Sequence, residues 1–405
     1  MSDTLPPFRP FSNVQWYLAH SGNRVHLICA CPDAIAPADF HAMVARALRL
    51  APQLGWQESL ERDGHFLTGA TPPRTVAEYN DLHQPGLALG ALEAALALPL
   101  ANTGRPAFRA RCLAAAAPDA RGTRAVVVFE ATHGVTEGGD IAALLRGRGA
   151  EHEARPIVDV HLRPLQRLAI ALMLPLLWLG FLIAARVPRK PSGGFRFARV
   201  ALDRANVAAA ARRLGVSQRA LLFGLVLHVT RHDPARRRRL SLAYSTLPKA
   251  RAHLHDDGFL NVRMDEFRLR TEATAAATIR ATATAIAARG PTPIFVQAWQ
   301  SAVLGWHRRA WRLAPWLYRG GFFGYSPYDL VLSLVPPLRP GPAWGALQRA
   351  TCFAGSNSGT TPNCIFAVGP ERVTLTLWAD PAMLSRIGGL VAQAEALGIG
   401  AEVWD

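Results

Sequence analysis

The sequence predicts an α/β protein in two lobes, each a mixed sheet with helices packed on it, and three observations lead there. A strand followed by an amphipathic helix runs from Arg24 to Leu48. After the polar, irregular stretch Glu151–Pro164 the same strand-then-helix order returns from Phe195 onward. The chain has 405 residues, 50% of them hydrophobic, which is enough for two packed cores and excludes a disordered protein. The expected division is residues 1–160 as an N-terminal lobe, 161–194 as an apolar insert with its linker, and 195–405 as a C-terminal lobe.

In order, Pro6 to Trp16 reads as an extended, proline-punctuated opening. Arg24–Cys31 reads as a strand, and Pro37 opens a helix that lines up Phe40, Met43, Val44, Ala47 and Leu48. In the strand Phe108–Leu113, Arg109 and Arg111 alternate with Phe108, Ala110 and Cys112, so both arginines share one face. Val126–Phe129 is an apolar, β-branched and aromatic run, hence a buried strand. It ends at Thr132-His133, a glycine-rich turn follows from Gly134 to Gly139, and Asp140 stands as the N-cap of a helix through Leu145. A histidine there presents one ring nitrogen to a cavity while backbone fixes the other, the geometry a general base needs. A single histidine in such a place more often merely ends a strand.

The second half is as regular. Phe195–Leu202 is a strand, Asp203 caps a helix to Leu214, and Gly215 stops it. Ser217 caps a further helix carrying Leu221, Leu222, Leu225 and Val229. Leu240–Leu247 and Val262–Leu269 are strands, and Thr271–Arg289 is an Ala/Thr-rich helix. Tyr328–Pro337 contains a strand with Ser333, Cys364–Trp378 a closing hairpin, and Pro381 opens a C-terminal helix.

His133-Gly-Val-Thr-Glu137-Gly138 resembles the HHxxxDG motif of the chloramphenicol-acetyltransferase-like superfamily, which includes wax ester synthase/diacylglycerol acyltransferases and peptide-synthetase condensation domains. Thr132 replaces the first His of many members and Glu137 the usual Asp. Leu98–Leu113 resembles the family's PLxxxxRPLWRxxL stretch, Leu202–Leu225 its LDxVxxxAxxxGxTxNDVxLA stretch with Gln218-Arg219 in place of Asn-Asp, and Ser333–Pro337 its SNVPGP strand with Leu334 in place of Asn. The resemblance covers nearly the whole chain except the apolar insert. It implies a two-lobe sandwich with a tunnel between the lobes, His133 as the catalytic base, and Gly138 as a point of close backbone approach. It also implies an arginine paired with Glu137, for which Arg109 and Arg111 are the candidates; a solvated basic strand face explains the two arginines equally well. Thr132 and Ser333 are pocket candidates, Ser333 for the oxyanion.

Leu168–Ala185 is about 18 residues without a charge, a membrane-length segment. Arginines flank both ends, so charge gives it no direction. It either dips into a bilayer and returns, with Pro175 and Gly180 as breaks, lies along the surface, or is a core helix between the lobes. Leu177, Trp178 and Phe181 are its side chains expected to meet lipid. Trp299, Trp306, Trp311, Trp316 and Tyr318 lie among His307, Arg308, Arg309, Arg312 and Arg319, a pattern of headgroup-level aromatics with arginines, or of aromatic core packing. The net charge of +16 favours anionic partners, although a general richness in Ala and Arg supplies part of it. Basic residues form no recognisable nucleic-acid module. Five cysteines without paired spacing fit a reducing compartment. His253, His255, Asp256 and Asp257 cluster in sequence, but ligands so close in a loop need a distant partner, and no metal site is assigned.

The expected activity is therefore acyl transfer by a monomer on the cytoplasmic face of a membrane, peripheral or monotopic. The donor is acyl-coenzyme A as co-substrate, with no resident cofactor, and the acceptor is a hydroxyl or amine of a lipid-like molecule. Two alternatives stand beside it: a standalone condensation-type enzyme fed by an acyl carrier protein, and a catalytically degenerate membrane-bound binding protein.

Overall fold

The computed structural model describes residues 8–66, 76–82, 105–133, 138–147, 157–159, 163–186, 195–230, 240–246, 251–254, 258–260, 263–269, 272–289, 294–318, 328–357 and 362–404. They form a mixed α/β structure in two compact units, residues 1–154 with 335–357 and residues 155–334 with 358–404.

The first unit is built on a five-stranded sheet. Its central strands are β2 (Arg24–Cys31) and β8 (Ala125–Thr132), buried at all eight positions each. β7 (Phe108–Ala115) lies beyond β8, and β5 (Val76–Leu82) runs parallel to β7 at the edge. The other edge is β16 (Thr351–Asn357), antiparallel to β2. A four-stranded sheet of β1 (Phe8–Pro10), β4 (Gly64–Phe66), β3 (Gln57–Ser59) and β6 (Arg105–Pro106) accompanies it. On α2 (Pro37–Leu50) the expected stripe Phe40, Met43, Val44 and Ala47 is buried. The opening is not wholly extended: α1 (Asn13–His20) begins at Ser12, whose side chain and that of Gln15 form a capping box. Asp140 is not the cap of its helix either, since α3 spans Gly138–Leu145 and holds Asp140 in its first turn.

Residues 335–357 belong to the first unit although they fall within the expected C-terminal lobe. The reason is pairing: β16 completes the ladder on β2, Trp344 Nε1 donates to the Leu144 carbonyl at 3.1 Å, and Arg349 Nε donates to Asp33 at 2.9 Å.

The second unit carries a seven-stranded sheet, ordered β14 (Arg263–Leu269), β11 (Leu240–Thr246), β15 (Leu330–Val335), β17 (Asn363–Val368), β18 (Arg372–Ala379), β10 (Arg196–Asp203) and β19 (Ala401–Val403). β9 (Ile157–Asp159), β12 (Arg251–Leu254) and β13 (Gly258–Leu260) make a small sheet. Local chemistry sets the helices as expected. Asp203 accepts from the Asn206 N–H to cap α5 (Arg204–Leu214), and Gly215 takes the left-handed φ of 67° that ends it. Ser217 Oγ accepts from the Ala220 N–H at the start of α6 (Gln218–Thr230). Every residue from Ala220 to Val229 is buried, so α6 is a core helix, apolar around its circumference except at His228, which shares a hydrogen bond with Thr278. It packs on α7 (Ala275–Arg289) and on α10 (Ile387–Ala396), which follows the short α9 (Pro381–Leu384).

The apolar insert, placed at 161–194, belongs to the second unit as α4, one continuous helix from Pro164 to Arg186. It runs through Pro175 and Gly180 without turning back, which removes the re-entrant reading. Among its described side chains only Leu174 and Leu182 are buried, so it is not a core helix. The other membrane-interface candidate becomes α8 (Ile294–Leu313) and a 3₁₀ turn, Pro315–Tyr318.

At Gly224 of α6 an added Cβ would lie 2.6 Å from the Ile279 Cα, so the two helices meet backbone to backbone. Gly224→Ala should therefore lower stability in urea unfolding by about 1–3 kcal/mol, with the slope unchanged.

Candidate active site

Strand β8 delivers His133. The strand ends at Thr132, whose N–H donates to the Ala107 carbonyl at 2.9 Å; the His133 N–H donates to the Asn23 carbonyl at 3.0 Å. The backbone is thus anchored to both neighbouring segments at the point where the ring projects. Asn23 is itself fixed, because its Oδ1 accepts from Ser356 Oγ at 2.9 Å. Nδ1 of His133 is enclosed and, among the described residues, makes no hydrogen bond to another residue. Burial holds the imidazole below its usual pKa of 6.5, while its own main chain and the carboxylate of Asp140 pull the other way. Burial thus favours the neutral ring, and the Asp140 carboxylate favours the protonated one.

Across one face of the sheet runs a row of buried polar side chains. His26 of β2, Glu130 of β8 and Arg109 of β7 stand opposite one another in register. Arg24 donates to Glu130 at 2.9 Å, and Arg109 lies 3.9 Å from the same carboxylate. Arg111, one alternation along, pairs with Glu78 of β5 at 2.7 Å. Both arginines are at most 5% exposed, so the solvated-face reading does not hold. Burial lowers the Arg109 pKa, with Arg111 and Arg24 adding to the effect and Glu130 opposing it. Gly355 of β16 makes room for this row: a Cβ there would stand 2.0 Å from His26 Nε2. Thr132, 2% exposed, also lies on this face, and its hydroxyl has no hydrogen-bond partner among the described residues.

The structure thus gathers His133, Thr132, Arg109 and Arg111 on one sheet. Gly138 opens α3. Glu137 lies outside the described residues, and so does its pairing with either arginine. Ser333 sits in β15 of the second unit, half-buried and in register with Ser245 of β11. Of the sequence cluster once weighed for metal, His253 lies in β12, and residues 255–257 fall outside the described ones. Sequence reading overlooked Glu130 and gave Asp140 only the part of a helix cap. A carboxylate inside the run Val126–Thr132 was the available signal, because a buried charge requires partners.

The fold has solved relatives in structure. The first condensation domain of the CDA synthetase superposes with a TM-score of 0.57 at 12% identity, covering 98% of this chain and 97% of that one. TRI101 of F. graminearum, complexed with ethyl coenzyme A, gives 0.60 at 10% identity over 98% and 100%. TRI101 of F. sporotrichioides, complexed with coenzyme A and T-2, gives 0.56 at 11% over 98% and 99%. This is the chloramphenicol-acetyltransferase-like, condensation-domain fold. No protein-family model matches the sequence, and no curated protein matches it. The likeness is one of backbone architecture at low identity, and it agrees with the fold expected from the motif around His133.

Glu130→Ala takes from the buried Arg24 and Arg109 the carboxylate they share. Chemical unfolding should show a loss of about 3–5 kcal/mol. A loss under 1 kcal/mol would mean that the row does not hold the sheet.

Proposed function

We propose that the protein is an acyltransferase in which His133 is the general base. The observation that carries this reading is an imidazole with an enclosed Nδ1, fixed through its backbone at the end of a fully buried strand, within a condensation-domain fold. The acceptor oxygen or nitrogen attacks the thioester carbonyl while its proton passes to the imidazole. The tetrahedral intermediate then collapses, the C–S bond breaks, and the imidazolium returns the proton to the leaving thiolate. No acyl-enzyme is needed. Desolvation keeps the ring free to accept a proton at neutral pH, and Asp140 stabilises the imidazolium while it exists. Glu137 orients the turn through an arginine instead of touching substrate.

The donor in this reading is acyl-coenzyme A, supported by the structural neighbours bound to ethyl coenzyme A and coenzyme A. The acceptor is lipid-like and the protein works at a membrane, which the exposed apolar surface of α4 supports; the cytoplasmic face is proposed from its free cysteines, which suit a reducing compartment. A second reading, transfer from a carrier-protein-bound donor, is favoured by the similarity to condensation domains. Thiol release from free acyl-coenzyme A separates the two, being present in the first and absent in the second.

His133→Ala should lower acyl transfer by about 10² to 10⁴ while leaving the circular dichroism spectrum unchanged. Near-normal turnover in that variant would overturn the mechanism. Glu137→Asp should retain more activity and stability than Glu137→Gln. A Gln variant as stable and active as the parent would remove Glu137 from the site.

A further inference from the structure

Helix α4 is about 34 Å long at 1.5 Å per residue and has no charged side chain between Leu168 and Ala185. Leu165, Leu168, Leu172, Met173, Leu176, Leu179 and Ile183 all stand exposed, Leu172 at 68% and Leu176 at 65%. With Ala169, Ala171, Pro175 and Gly180, also exposed, they cover roughly 200° of the circumference at about 100° per residue. A coiled-coil seam to a second copy needs only a narrow stripe flanked by charged positions. An apolar arc this wide, uncharged along its whole length, suits immersion in acyl chains.

The opposite side of α4 is fastened to its own unit. Trp178 Nε1 donates to Tyr318 Oη at 3.2 Å, His307 Nδ1 shares a hydrogen bond of 3.1 Å with the same hydroxyl, and the Phe181 ring packs on His307 at 5.2 Å. Trp178 and Phe181, expected to meet lipid, are thus the anchors to α8, and Leu177 is half-buried. The segments that carry this hydrogen bond, the end of α8 and its 3₁₀ turn, also expose Trp306, Leu313 and Trp316, with Arg309 and Arg312 exposed beside them. Tryptophan at the headgroup level and arginine toward anionic heads complement such a surface.

Topology fixes the orientation. β9 precedes α4 and pairs with β12, while β10 follows it and pairs with β18, and all four strands belong to the second unit. A bilayer crossing would put the two ends of the helix on opposite sides of one folded body.

We propose that α4 docks flat in the surface of an anionic phospholipid bilayer, its exposed leucine arc among the acyl chains and the Trp306–Trp316 segment with its arginines at the headgroups. The inference names the lipid surface behind the membrane-associated reading above, and it does not depend on the chemistry of His133.

The test uses the full chain and sucrose-loaded vesicles of phosphatidylcholine alone or with phosphatidylglycerol. The protein should sediment with the mixed vesicles at least tenfold better than with phosphatidylcholine, and 1 M NaCl should weaken the binding without abolishing it. Leu172→Ser, Leu176→Ser and Leu179→Ser together should reduce binding at least tenfold, with the thermal transition and release of thiol from a soluble acyl-coenzyme A retained. Should the triple variant not fold, brominated lipid provides a second reading on the unaltered protein, where quenching of tryptophan fluorescence is expected. Cysteines placed by Arg163→Cys and Arg196→Cys should both react with an impermeant maleimide outside the vesicles. Protein that stays in the supernatant, a triple variant that binds as the parent does, protection of one cysteine only, or a dimer in solution that the triple variant dissociates would each overturn the proposal. Loss of thiol release with vesicle binding intact would instead count against the acyl-transfer reading.

Discussion

Eight consecutive buried positions in β8 leave no water for a carboxylate at Glu130, so the strand can exist only with cations beside it. They come from its neighbours on both sides, Arg24 on β2 and Arg109 on β7. That constraint spreads outward. Arg24 is held at its own N–H by the Asn357 side chain of β16, and His26, next in the row, needs the bare backbone of Gly355. The strand that leads into His133 is therefore locked laterally on both sides. A base aimed by backbone hydrogen bonds gains its precision from such a scaffold, since the residues before it cannot slide.

The elements were legible wherever local chemistry decides them. Asp203, Gly215 and Ser217 bound α5 and α6 as written in the sequence, and the Val126–Phe129 run is the centre of its sheet. Ser12-x-x-Gln15 was an equally local capping signal for α1, hidden behind the prolines that precede it. Long-range pairing was not legible. Nothing near 351–357 announces that it completes the ladder on β2, more than 300 residues earlier, and the same non-local pairing gives Arg109 the buried partner Glu130. For the site, the motif indicated His133 but not Glu130, whose importance appears only when register sets it opposite His26 and Arg109.

Two demands on the chain meet in α4. Hydropathy alone permits a span, yet Trp178, Tyr318 and His307 tie the helix to its own unit, and strands on both sides of it return there. Which leucines face outward is decided by those tethers and not by the apolar run, which is uniform around the helix. The helix thus presents an exposed apolar surface that no described residue covers.

The central claim is that His133 is a neutral base held by burial, and its ring titration tests this most directly. Nitrogen-15 NMR of selectively labelled histidine, assigned by the loss of one signal in His133→Ala, would give its midpoint. The account predicts a midpoint below the ordinary 6.5, with a neutral ring at pH 7. A midpoint above 6.5, showing an imidazolium already formed at rest, would contradict it.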